Sequence, residues 1–231
     1  MDTHGSDLIK LIDFAYLQKL QDTFARTFKV TALIVDEDCE PITEPSNRTD
    51  LCSLFSCTET EEDLCLDNVR NLSAQARDTG RPEIGICPHV GVATVAMPIT
   101  INERFLGCWS FGQLRVAETP DEKLHAAAEE FNLSSESLRS AVQSLPLFTM
   151  REFERLFAFA ESLVDSIVEL GRKNLELAAQ DKTIRDLRGR LEKREFFDAG
   201  TGLPNERTLA LHSPEDPKSG NRGRRQPPRR C

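Results

Sequence analysis

The chain has 231 residues, 39% of them apolar, and a net charge of -9. That leaves room for one full domain with an extension, and enough apolar material for one core. From Ser213 onward there are six Lys/Arg against two Asp/Glu, so the body before it is more acidic than the total. An acidic body argues against nucleic acid or an anionic membrane as the main partner, because neutralising phosphate needs positive charge.

The opening Met1-Asp2-Thr3-His4-Gly5-Ser6-Asp7 is polar and acidic, where a secretory signal is basic and then apolar. No run reaches the length of a transmembrane span. A cytoplasmic protein is expected, with its cysteines reduced and serving as buried apolar groups or metal ligands.

Ile12 to Phe28 has apolar residues at helical spacing, with Asp13 as a cap and Asp22, Arg26 and Lys29 facing water. Val30 to Asp36 is a β-branched run suited to a buried strand. A turn at Asp36–Glu40 leads to a second strand at Pro41-Ile42-Thr43, and the pair reads as a hairpin. Thr58 to Asp78 reads as a helix, with Thr58 and Glu61 as a capping box and Gly80 as the C-cap. Glu83–Cys87, Val92–Thr100 and Phe105–Leu114 read as strands, the last two joined by a turn at Ile101-Asn102-Glu103-Arg104. In the third, Trp109 and Phe111 share one face and Cys108 and Ser110 the other. Gly107 and Gly112 mark a bulge or a close approach.

Further helices are expected after Pro120 and after Ser134, and a long one from Thr149 to Phe197. In that helix Leu156, Leu163, Leu170, Leu177, Ile184 and Leu191 recur every seven residues. A seven-residue repeat favours a left-handed coiled coil, and Asn174 in its second column would favour a dimer in one register. The alternative is a long helix packed on its own domain. Residues 213–231, with four prolines and no large apolar residue, are expected to be disordered.

The unusual chemistry lies between Pro41 and His89. Cys52, Cys57, Cys65, Cys87 and His89 supply more than a tetrahedral zinc site needs, and an iron–sulfur cluster uses the same thiolates. No Cys-x-x-Cys pair occurs, and the thiols serve equally well as lining of an apolar pocket. Thr43-Glu44-Pro45-Ser46-Asn47 is a polar turn between prolines. It reads either as a loop closing over a ligand or as an ordinary lead into a helix.

Leu8–Phe28, Ile34-Val35-Asp36, Pro41–Asn47, Cys52, Cys65, Cys87 to Gly91, Met97-Pro98-Ile99 and Leu106–Gln113 together resemble the PocR-type sensory domain. The resemblance implies an α+β fold, a PAS-like variant with a central antiparallel sheet flanked by helices. It also implies a bacterial sensor for small organic molecules such as short diols, not an enzyme. Where the family pattern has two residues between cysteine and glycine, Cys87-Pro88-His89-Val90-Gly91 has three. Asp198-Ala199-Gly200-Thr201-Gly202-Leu203-Pro204-Asn205 resembles the opening of a GGDEF diguanylate cyclase domain, with Gly200 where leucine is usual. The metal- and nucleotide-holding loop of such a domain is absent, so no cyclase activity and a truncated or altered end are expected.

The expected organisation is a sensory domain at 7–148, a signalling helix at 149–197, a GGDEF remnant at 198–212 and a disordered basic tail at 213–231. The expected ligand-facing residues are Thr43, Glu44, Ser46, Asn47, Cys52, Cys65, Cys87, His89 and Gln113. Cys52, Cys65, Cys87 and His89 are the candidate ligands for zinc or an iron–sulfur cluster. The expected partners are a small organic molecule and a second copy bound through the 149–197 helix. A metal-based redox sensor and a dimerisation partner that senses nothing stand as alternatives.

Overall fold

The computed structural model describes residues 6–56 and 64–196, together with Leu203. In chain order the described elements are α1 (Asp7–Leu11), α2 (Phe14–Phe28), β1 (Thr31–Val35), α3 (Asp50–Ser56), α4 (Leu64–Thr79), β2 (Glu83–Ile86), β3 (Ala93–Ile101), β4 (Arg104–Leu114), α5 (Asp121–Glu130), α6 (Ser135–Ser144) and α7 (Met150–Phe196). The expected α+β class with a central antiparallel sheet is the one observed. The chain divides into two units inside α7, the first ending at Leu177 and the second beginning at Ala178.

The first unit is built on a four-stranded sheet in the order β1-β4-β3-β2, with each neighbouring pair antiparallel. Period-two alternation sorts the side chains to two faces. Ala32, Ile34, Val95, Met97, Trp109 and Phe111 face α2 and the first half of α7, where they pack with Phe24, Leu156, Ala160 and Ile167. Phe24 meets Trp109 and Phe111 edge-on, at ring-centroid distances of 5.5 and 5.1 Å. Such pairs add roughly 0.5–1.5 kcal/mol beyond burial alone. Leu33, Val35, Ala96 and Cys108 face α4, against Leu72 and Ala76. The Trp109/Phe111 and Cys108/Ser110 division therefore holds.

The expected hairpin partner of β1 is present only as bridges. Val35 pairs with Pro41 and Ala32 with Ser46, without a continuous ladder. Pro41 and Pro45 have no backbone N–H to give, so a regular edge strand cannot form across them. The turn between β3 and β4 places Asn102 and Glu103 at φ 51° and 64°, the two-residue geometry that matches strand twist.

Asp13 caps α2 as expected, accepting from the Tyr16 amide at 3.0 Å. Lys29 ends that helix in the left-handed conformation. The five residues of α1 were not foreseen; Ser6 caps them and Leu8 is fully buried. Thr149 and Glu152 form a reciprocal cap at the start of α7.

Up to Leu175, α7 is a core helix of the first unit. Leu156, Ala160, Val164 and Ile167 are buried against the sheet. Asn174, read from spacing as a coiled-coil position, donates instead to the Leu11 carbonyl at the end of α1, at 2.7 Å. Beyond it Leu177, Ile184, Leu187 and Leu191 are exposed. No described helix is long and apolar enough to cross a membrane. Cys57, the Thr58/Glu61 cap, the Asp198–Asn205 motif apart from Leu203, and the basic tail lie outside the described residues.

Candidate functional site

A cavity of about 590 Å³ opens on the α4 side of the sheet. Its floor is Thr31, Leu33, Thr94, Ser110 and Gly112. Its walls are α3, α4, the loop at 41–48 and the turn at 87–92. The volume lies within the range of roughly 300–1,000 Å³ usual for small-molecule sites.

The 41–48 loop is held from behind by a residue that the sequence reading passed over. Gln21, on α2, is fully buried. Its amide nitrogen donates to the carbonyls of Ala32 and Glu44, at 3.1 and 2.8 Å, and to the Ser46 hydroxyl at 2.7 Å. Its amide oxygen accepts from the Thr43 hydroxyl at 2.6 Å. Thr43 in turn accepts from the Ile34 amide. Ser46 donates to Asp22 at 2.6 Å, and this bond holds the Asp22 carboxyl below its usual range. Asp22 is thus half-buried against the loop and does not simply face water.

Thr43, Glu44 and Ser46 all line the cavity, yet the hydroxyls of Thr43 and Ser46 are engaged with the frame. Asn47 is not in the lining. It stands at φ 52° and donates to the Val30 carbonyl at 3.1 Å, so it shapes the loop.

Gln113 reaches the cavity through a β-bulge. Ala93 pairs with Leu114 and Thr94 with Gly112, which leaves Gln113 as an extra residue on β4 at φ 58°. Regular alternation would point it with Phe111 toward α2. The bulge turns it to the other side. There it donates to the Cys52 sulfur at 3.0 Å and accepts from the Thr49 hydroxyl. Gly112 beside it permits the close packing, since a Cβ there would stand 2.8 Å from the Thr94 hydroxyl. The second bulge, at Leu106, precedes Gly107 at φ 151°.

Cys52, Cys65, Cys87 and His89 all line this one cavity. His89 stands 3.0 Å from the Glu130 carboxylate, with its ring against Phe131. Among the described residues no group of three or more His, Cys, Asp or Glu is placed to hold a metal ion. Asn68 donates to Thr94 across the floor at 3.5 Å, and Ser73 meets Ser110 at 3.3 Å.

The five described thiols fall into two classes. Cys52, Cys65 and Cys87 are partly exposed in the cavity, whereas Cys39 and Cys108 are buried. Burial pushes the Cys108 thiol up to about 12, and Cys39 upward as well. Ionising Cys108 therefore opposes folding: its contribution is intact below the ordinary thiol range and is lost as pH rises toward about 12. Iodoacetamide at about pH 8 is expected to label the three cavity thiols well before Cys39 and Cys108, as read by peptide mass mapping. Equal rates would show that the core opens freely.

A search of the curated proteins finds no match. A family model described as the sensory domain found in PocR matches residues 10–172, more than half of the chain. That span runs from the end of α1 into α7 and includes every residue that lines the cavity. With that match, and with a sheet-floored cavity inside it, the chain belongs to the PocR sensory-domain family.

Proposed function

We propose that the first unit is a ligand-binding sensor whose cavity takes a small, uncharged organic molecule, and that α7 relays binding to an output domain. The observation that carries this reading is Gln113, held in a left-handed bulge so that its amide faces the cavity. Backbone held in a sparsely populated region against its preference points to a functional constraint. The deep polar groups are neutral: Thr94, Ser110 and Gln113 are all buried. Of the charged lining, Asp67 pairs with Arg70, while Glu44 and Arg48 lie at the exposed mouth, and the His89 ring is hydrogen-bonded to Glu130. A buried ionic ligand would need a counter-charge at that depth. The volume favours a ligand larger than the short diol that the family resemblance implies.

Thermal melting against a panel of alcohols, polyols and amides tests this, with short carboxylates as the contrast. A true ligand at 100 times its Kd is expected to add about 2.7 kcal/mol. Gln113→Ala is expected to abolish most of that gain. Stabilisation by carboxylates alone would refute the neutral-ligand reading.

The zinc or iron–sulfur alternative draws on the location of Cys52, Cys65, Cys87 and His89 around one cavity. It requires those side chains to draw together. Metal analysis and an absorption spectrum after anaerobic purification decide it. We also propose a cytoplasmic homodimer, without membrane or nucleic-acid partners. The contact proposed for it is the row of exposed Leu177, Ile184, Leu187 and Leu191. The organisation beyond that helix, with a GGDEF remnant at 198–212 and a basic tail, belongs to the same proposal. A dimer that no small molecule stabilises would favour the non-sensing alternative.

A further inference from the structure

The groups that fix the start of α7 begin two residues from the cavity. Arg115 follows β4 and is buried. One guanidinium nitrogen donates to the carbonyls of Val142, Gln143 and Leu145, at 3.3, 3.1 and 3.4 Å. These lie at the end of α6, where helix carbonyls run short of backbone partners, although the Val142 carbonyl also takes the Leu145 amide. The other nitrogen holds both carboxylate oxygens of Glu118, at 2.9 and 3.0 Å. The Arg115 backbone forms a parallel bridge with Leu147, and its carbonyl accepts from the Phe148 amide at 2.7 Å. Thr149 then caps α7. The junction between α6 and α7 is thus tied to the end of β4 through Arg115, and only the fully buried Leu114 separates Arg115 from Gln113.

Gln113 is poised to change. Its amide donates to a sulfur, which is a weak acceptor, so a ligand oxygen is a better partner. Its bulge interrupts the β3–β4 ladder just before Arg115, so a shift of Gln113 acts where β4 runs out to the junction. We propose that Gln113 reads the occupant of the cavity, and that Arg115 is the positioning residue that passes the change to the first turn of α7. The inference rests on the ligand-binding reading for its trigger, but its mechanical link is testable without any ligand.

The test is amide hydrogen exchange, followed by mass spectrometry, on the full chain. Cys52→Ala removes the acceptor of the Gln113 amide, and Gln113→Gly tolerates the left-handed backbone while removing the reader. Arg115→Lys keeps the charge but not the fork. Each of the first two is expected to change exchange in residues 145–153 several-fold, while residues 100–105, at the other end of β4, stay as they are. Arg115→Lys is expected to speed exchange in 145–153, and adding Cys52→Ala to it should then change nothing more. If Arg115→Lys loosens the junction but the cavity variants do not, Arg115 is only a structural clamp and the proposal fails. An even rise across both segments, the mark of general loosening, also overturns it. Neither failure touches ligand binding, which the melting screen reads separately.

Discussion

Replacing Gln21 by methionine is expected to cost about 2–4 kcal/mol, since the four hydrogen bonds of its buried side chain go at once at roughly 0.5–1.5 kcal/mol each, less what relaxes. The Ala32 carbonyl keeps the Ser46 amide and the Glu44 carbonyl keeps Gln18. The volume is nearly kept, so cavity formation does not confuse the result. The Ala32 carbonyl, the Glu44 carbonyl, the Ser46 hydroxyl and the Thr43 hydroxyl all lose their shared partner at once. Urea denaturation checks the size. A double variant with Thr43→Val separates network from sum: the two changes should be clearly less than additive, because both break the same set of bonds. The functional consequence is larger than the energetic one. The loop that Gln21 holds is a wall of the cavity, so ligand stabilisation should vanish in a protein that still folds. A Gln21→Met protein with normal stability would mean that the Ala32–Ser46 bridge and Gln18 suffice to hold the loop.

Gly107→Ala is expected to be about as damaging, at about 3–4 kcal/mol, because its cost lies in backbone that cannot move. A Cβ at that position would stand 2.2 Å from the Val35 carbonyl oxygen. Val35 is paired with Cys108 in the ladder, so relief requires β1 to shift away from β4. Gly80→Ala provides the control. Gly80 is also at positive φ, at +66°, but an added Cβ there meets nothing within 4 Å. Its cost should be the conformational part alone, about 1–2 kcal/mol. Equal losses for the two variants would mean that the clash at Gly107 is absorbed elsewhere.

The strands were legible in the sequence because they are β-branched, alternating and bounded by turn residues. Trp109/Phe111 and Cys108/Ser110 fell on the right faces from period two alone. The second strand of the hairpin was misread for a reason that Pro41 and Pro45 state themselves, since hydrophobic pattern outweighed the missing donors. Asn174 was misread because a heptad position looks the same whether the partner is another chain or the chain's own α1. Gln21 was invisible: one glutamine on an amphipathic helix carries no mark that it is fully buried. Its signal existed only as spacing, on the same side of α2 as Leu17 and Phe24. Gln113 was found and the glycines beside both bulges were flagged, but that Gln113 itself is the extra residue was not, because a positive φ at glutamine has no local signature.

The frame around the cavity holds position 44 only by its main chain. The Glu44 amide donates to Gln18 at 2.8 Å, and its carbonyl accepts from Gln18 and Gln21. The Glu44 side chain has no place in that set, and it stands exposed at the mouth. Chemical identity at position 44 is therefore uncoupled from the bonds that hold the loop there in place. Any L-residue able to adopt the same backbone keeps the scaffold intact, while its side chain alters what the mouth admits. At this one position, ligand preference can drift or be redesigned without a stability debt beneath it.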